Sequence, residues 1–268
     1  MNQLCMADIV GMDPIVKEFT RAVQAGRSVL LIGPPGSGKT MLARRAVTVL
    51  PDLTPEESAE VSLVWRMAGL GRPVHPDTGM GRPYRAPHYT CSEQAMFGSR
   101  SLYQRGYGPD ADAAWVRPGE VSLALHGVLC LDEVTEVPRT IIDGLAEARR
   151  DGYGRHWPHV ELPARCLLVG SANPCPCGFR GATGYAGREC ACSARCLAGY
   201  DARLERLLRT LFDATIHVPC AGLRRAANPC LVGLEVPAPA ARGAGNCDGY
   251  VVGRGPCILP AGHDRGCI

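Results

Sequence analysis

Residues 33–40 read Gly-Pro-Pro-Gly-Ser-Gly-Lys-Thr, an order of residue types that suits a phosphate cradle. Gly33, Gly36 and Gly38 let backbone N–H groups curl around an anion with no Cβ in the way, and Pro34, Pro35 and Ser37 complete the turn. The Lys39 ammonium can reach the β- and γ-phosphates of a nucleoside triphosphate, and the Thr40 hydroxyl can ligate Mg2+. Lysine occurs only at 17 and 39, and every other fixed cation is Arg. A chain that otherwise avoids lysine keeps the compact ammonium where a cradle needs it. A second chemical pair, Asp132-Glu133, ends the apolar run from Gly127 to Leu131. Asp132 is suited to orient Mg2+, and Glu133 to polarise an attacking water. Asn173 closes another apolar run, where it can hold that water or sense the γ-phosphate; the plainer reading is a turn cap before Pro174. Cys175, Cys177, Cys190 and Cys192 crowd one loop. Their two C-x-C pairs suit tetrahedral Zn2+, although tighter than the usual two-residue gap, and free thiols are the alternative.

These groups need elements to carry them. Ser28–Ile32 reads as a buried parallel strand, and Met41–Leu50 as a helix whose N-terminus adds its dipole to the cradle. A helix from Pro14 to Ala25 precedes them. Thr54-Pro55-Glu56-Glu57 is a capping box with Pro at the first helical position, opening a helix that runs to Ala68 and stops at Gly69. Residues 71–118 are rich in Gly, Pro, Arg and Tyr and lack periodicity. So long an irregular stretch points to function, as a phosphate-backbone contact or a subunit-contact loop. Val121–Leu125 reads as a short helix or strand. Residues 138–150 form an amphipathic helix with Ile141, Ile142, Leu145 and Ala146 inward, closed by Arg149, Arg150 and Gly152. Cys166–Ser171 and Thr215–Val218 complete the strands. The alternation predicts an α/β fold of the P-loop NTPase kind, a doubly wound parallel sheet flanked by helices. The acidic pair then falls at a strand's carboxyl end, where such sheets bind ligands.

Composition sets outer limits. Of 268 residues, 46% are hydrophobic and 21% charged, ample for one core. The net charge of +3 is too small to argue for nucleic acid by itself. No basic segment precedes an apolar stretch, and no apolar run approaches the ~20 residues of a membrane span, so the expectation is a cytoplasmic protein with no membrane association. Fourteen cysteines are many for a reducing compartment. Cys130 and Cys166 lie in apolar runs as small buried hydrophobes. Cys247, Cys257, His263 and Cys267 could form a second, Cys3His, site in the tail.

Taken together the motifs resemble the magnesium-chelatase-type AAA+ ATPases, and most closely the ComM-like branch. The stretches that carry the resemblance are Asp8-Ile9-Val10-Gly11, Leu31 to Arg45, Arg82-Pro83-Tyr84-Arg85-Ala86-Pro87-His88, Arg117 to Ala124, Gly127 to Glu133, and Asn173-Pro174-Cys175-Pro176-Cys177-Gly178. It covers roughly residues 8–218, and the combination of the cradle with Arg85-Ala86-Pro87-His88 and Asn173-Pro174-Cys175-Pro176-Cys177-Gly178 is far more specific than the cradle alone. It implies an AAA+ ATP-binding core over 1–218, a ring-forming Mg2+-dependent ATPase, and Ile9 and Val10 in the nucleotide-binding set. Chelatase members insert Mg2+ into a porphyrin; ComM-like members are associated with DNA branch migration. Three departures accompany it. The chain is expected to lack the N-terminal domain and the helical lid of the family, since 219–268 reads as an irregular Gly/Pro/Cys-rich tail. The family also carries Leu-Leu-Asp-Arg-Ile-Asp-Leu before its final strand, where the Arg acts in trans on a neighbour's ATP. Alignment from Asp213 puts no Arg there, and Arg206 and Arg209 are out of register.

Three functions stay open: an ATPase ring working on nucleic acid, a nucleotide-binding accessory module with little hydrolysis, and a chelatase motor subunit. Glu133 and Asn173 favour the first, the expected lack of a lid and finger favours the second, and the cysteine loop speaks for the ComM-like side over the third.

Overall fold

Apolar runs of four to six residues with no polar break fold as strands covered on both faces. The computed structural model describes residues 5–71, 73, 81–101, 115–157, 160–181 and 189–219, all within the first of two units, 1–226 and 227–268. Asp13–Gln24 (α1) leads into Val29–Ile32 (β1), and the glycine turn delivers the chain to Lys39–Arg45 (α2). Thr54 caps Pro55–Met67 (α3) through a reciprocal pair of bonds with Glu57, and Gly69 follows at φ +70°. Then come Tyr84–Arg85 (β2), Glu93–Phe97 (α4), Ser99–Ser101 (β3), Trp115–Arg117 (β4) and Glu120–Leu123 (α5). Val128–Leu131 (β5) leads to Arg139–Asp151 (α6), which ends at Gly152 with φ +79°. Tyr153–Trp157 (β6), Val160–Pro163 (β7), Leu167–Ala172 (β8), Ala194–Thr210 (α7) and Ala214–His217 (β9) complete the order.

Five strands form one parallel sheet in the order β2-β5-β8-β1-β9. Strand alternation splits the core in two. Leu30, Ile32, Leu129 and Leu131 face one layer with Ile141, Leu145, Leu207 and Leu211. Val29, Leu31, Val128 and Cys130 face the other with Phe19, Leu42 and Val47. Two antiparallel pairs, β3 with β4 and β6 with β7, stand apart from this sheet. No helix among the described residues is long and apolar enough to cross a membrane.

Several elements differ from the sequence reading. The helix after the cradle starts at Lys39, not Met41, and tightens into a 3-10 turn at Ala46–Val49. On α6 the fourth inward residue is Ala148, while Ala146 is half-buried against the same layer. Of the two readings of Val121–Leu125, helix or strand, the helix is the one observed, as α5. Cys130 is buried, whereas Cys166 is only partly so. The 71–118 stretch is not wholly irregular, since it supplies an edge strand, a helix and two short strands. Its two motif arginines are engaged within the chain, Arg82 buried and Arg85 partly buried. Arg82 is buried and donates to the carbonyls of Pro51, Asp52 and His126, and Arg85 pairs with both carboxylate oxygens of Glu120 at 2.5 and 2.7 Å. Both fasten the edge of the sheet. The helix α7 and the β6–β7 pair are additions to the sequence reading. The tail residues Cys247, Cys257, His263 and Cys267 lie outside the described residues.

Candidate nucleotide site

The cradle hangs from the carboxyl end of β1. Gly33 N donates to Ala172 O of β8 at 3.2 Å, and Val218 N donates to Ile32 O at 2.7 Å. These bonds bring neighbouring backbones so close that a Cβ at Gly33 would sit 2.2 Å from Val218 O. Gly36 and Gly38 turn the chain at φ +74° and +93°, where a side chain is disfavoured. Lys39 Nζ donates to the Gly33 carbonyl at 2.7 Å, the Pro34 carbonyl at 2.9 Å and Asn173 Oδ1 at 3.3 Å. Burial pushes the Lys39 pKa down, against the pull of Asp132 and Glu133. The ammonium is thus held at the cradle mouth with oxygens that a phosphate can replace. Ser37 Oγ is buried there with no partner among the described residues, a spare polar group in a place made for an anion.

The acidic pair closes the other side. β5 and β8 run parallel with Leu131 opposite Gly170, so Asp132 and Glu133 emerge beside Ser171 and Ala172. Thr40 Oγ1 lies 3.5 Å from Asp132 Oδ2. Thr40, Asp132 and Glu133 are exposed while Lys39 is buried, so the oxygens face an open cleft and the cation forms its floor. A hard divalent cation suits such a set of hydroxyl and carboxylate oxygens. Asn173 is held from behind, because Tyr200 Oη of α7 donates to its carbonyl at 2.8 Å. Of the opening pair, Ile9 is buried among Met12 and Phe19, and Val10 is 77% exposed. Of the two, only Val10 has free surface.

The four loop cysteines converge. Their sulfurs lie within 4.8 Å of one another, with Cys175 to Cys177 at 3.3 Å, Cys177 to Cys190 at 3.6 Å and Cys175 to Cys190 at 3.8 Å. Tetrahedral Zn2+ with bonds of ~2.3 Å places its sulfurs roughly 3.8 Å apart. Arg180 N donates to Cys175 Sγ, a donor of the kind that favours thiolate. The Phe179 backbone, and then the Cys175 thiol, pull Cys177 down to about 6. The loop abuts the cradle, since a Cβ at Gly178 would lie 2.7 Å from Pro35 Cδ.

The segment before β9 is built differently. Leu211, at the position where the resemblance would place a trans-acting Arg, is fully buried. Arg209 points outward, its side chain 81% exposed, and reaches Glu205 at 3.9 Å. Arg206 lines a cavity of about 270 Å3 with Arg139, Arg203 and Glu136. Asp213 accepts two bonds from Arg149 at 2.6 Å and one from Ser28 N at 2.9 Å, so it clamps β1, α6 and β9.

Sequence reasoning passed over Ser171 and Tyr200. Ser171 is a buried hydroxyl in an otherwise apolar strand, and that break in the pattern was its signal. Tyr200 lies on α7, which starts at a Ser193 cap.

A parallel sheet in this order, with a glycine-rich cradle after one inner strand and adjacent acids at the end of another, defines an AAA+ core. The chain belongs to the family described as magnesium chelatase, subunit ChlI, which matches residues 5–226. It is 33% identical over 221 residues to competence protein ComM of Haemophilus influenzae, covering 81% of this chain and 40% of that protein. It is 33% identical over 217 residues to the uncharacterized protein YifB of Escherichia coli, covering 80% and 39%. The chain thus spans about 40% of the length of the curated relatives it matches. Among solved structures it is similar to the complex of subunits BchI and BchD of magnesium chelatase built on a cryo-EM reconstruction, with TM-score 0.51 and 21% identity, covering 81% of this chain and 62% of that one. That likeness shows the fold.

Proposed function

We propose that this chain binds ATP with Mg2+ in the cradle and hydrolyses it, slowly when alone, as a subunit of an oligomeric ring acting on nucleic acid. The observation that carries the reading is the approach of Thr40 Oγ1 to Asp132 Oδ2, 3.5 Å apart across the cleft. Lys39 and the backbone of residues 33–40 would bind the phosphates, with Thr40 and Asp132 as the metal's oxygens. Mg2+, when bound, supplies Lewis-acid charge neutralisation on the phosphates. Glu133 accepts the proton of the attacking water and Asn173 orients that water or the γ-phosphate. Val10 offers an apolar face to the base, and Ile9 supports it from the core. Assembly with further subunits is in keeping with the BchI–BchD complex, and the ring and nucleic acid are what the resemblance to the ComM-like branch implies. A reducing, cytoplasmic setting suits the free thiols of the described residues.

Buried Leu211 favours a second reading, an accessory subunit that binds ATP and barely turns it over. An arginine finger is worth about 10³–10⁵ in rate in related GTPases. ATPase rates with and without single-stranded and branched DNA, beside a mass measurement with and without nucleotide, separate the two. Turnover that DNA stimulates supports the ring ATPase; binding without turnover under every condition leaves the accessory module.

Cys175, Cys177, Cys190 and Cys192 are proposed to hold a structural Zn2+. The metal would fasten the loop that backs Asn173 and Pro35, with no part in the chemistry. Metal analysis of protein purified under reducing conditions should give a zinc ratio near one; a ratio near zero removes the site.

A further inference from the structure

We propose that Ser171 is a positioning residue that sets Asp132 for the metal and Glu133 for the water with a single hydroxyl; this rests on the ATPase reading above. Ser171 lies on β8, opposite Leu31 of β1, and is 1% exposed. Its Oγ donates to Asp132 Oδ1 and accepts from Glu133 N, the latter at 3.2 Å. One hydroxyl thus uses its proton on the first acid and a lone pair on the second.

The two bonds do different things. Asp132 has two oxygens; with Oδ1 tied to Ser171, Oδ2 is the one turned to Thr40. The carboxylate is then presented to a cation in one orientation instead of rotating about its last bond. Glu133 stands at φ +50° and ψ +48°, a left-handed conformation sparsely populated by residues other than glycine. It persists only when its surroundings hold it. The Ser171 hydroxyl holds the Glu133 N–H, and Glu136 N donates to the Glu133 carbonyl at 2.8 Å. The peptide is pinned on both sides, which aims the carboxylate of Glu133 into the cleft. Among the described residues the Ser171 hydroxyl makes its hydrogen bonds to the two acids and none to residues 33–40, so nucleotide and metal effects can be read apart.

The test is Ser171→Ala beside Ser171→Thr, which keeps the hydroxyl. For Ala, the Mg2+ concentration that half-saturates ATPase activity should rise about tenfold and kcat should fall about ten- to a hundredfold, the range for hydrogen bonds to charged groups. A fluorescent ATP analogue measured with EDTA should bind Ala and wild type alike. The Thr variant should recover most of both losses. An Ala variant with wild-type Mg2+ dependence and kcat overturns the proposal. So does a metal-free affinity that falls in step with activity, or a Thr variant no better than Ala. Should the Ala protein fail to fold, Ser171→Cys, of similar volume and weaker as a donor, is read the same way. If wild type turns over no ATP, the ATPase reading fails on its own. The Mg2+ dependence of analogue binding then decides, a rightward shift in Ala supporting the Asp132 bond and no shift overturning it.

Discussion

Two segments at opposite ends of the parallel sheet treat their polar residues in opposite ways. Where β1, β5 and β8 end, the polar groups are gathered toward an open cleft: Lys39 against Asn173, Thr40 against Asp132, Glu133 exposed beside them. Just before β9, the chain turns its apolar residues in. Leu211 and Phe212 are buried, and Asp213 is used up on Arg149 and Ser28 N. The first segment is complete within one chain because parallel strands deliver their ends side by side. The second contributes packing instead of a cation, so any charge supplied across a subunit boundary must come from elsewhere, such as the outward Arg209. What a fold can assemble from its own strands is present here; what it must borrow from a neighbour is not set by these strands.

Four experiments sharpen or break that contrast. The largest effect is expected from Glu133→Gln, which should lose about 10²–10⁴ in kcat while binding ATP normally, measured by steady-state turnover and a nucleotide-binding assay. Retained turnover would remove Glu133 from the chemistry. Next, Mg-ATP at about 1,000 times its Kd should stabilise the wild type by ~4 kcal/mol, and Lys39→Ala should lose the whole of the resulting shift in melting temperature. A third variant, Leu211→Arg, asks whether the segment before β9 can host a finger. Loss of a buried leucine and burial of a charge should cost at least ~3 kcal/mol in chemical denaturation, with no gain in turnover. A stable, faster enzyme would erase the distinction between the two segments.

The smallest effect concerns Asp213. Burial pushes its pKa up, but the Arg149 guanidinium, the Ser28 N–H and Arg27 outweigh it, and the net displacement is downward. A carboxylate held below its unfolded value of about 3.9 contributes stability that is present above that pH and lost as pH falls through the folded value. Asp213→Asn should cost about 1 kcal/mol at neutral pH, a modest figure because the clamp is partly exposed. Acid unfolding monitored by circular dichroism should show the difference between wild type and variant closing below about pH 4.

The phosphate turn, the acidic strand end and the capped helix at Thr54 were legible because each rests on neighbours in the chain. A four-residue apolar run, a glycine pattern or a Thr-Pro-Glu-Glu cap needs no distant partner to be recognised. The short elements within 71 to 118 were not legible for the opposite reason. Tyr84–Arg85 is a strand only because Val128–Leu129 lies beside it, and Arg82 is buried only because three distant carbonyls receive it. The helix α7 could have been found, since Tyr200, Leu204, Leu207 and Leu211 repeat at helical spacing behind Ser193. The cysteine-dense approach at 190–196 and the run of Arg residues along the same stretch mask that period.

Residue order alone determined the identity of the chemical groups and which strand ends they occupy, because side-chain chemistry and strand propensity are local properties. Distance was decided by the tertiary structure. Only the pairing of β5 with β8 could show that the hydroxyl of Ser171 reaches both acids, and only the packing of α7 could show that Leu211 faces inward and Tyr200 backs Asn173. Those facts depend on contacts between residues far apart in the chain, which the order of residues encodes but does not display.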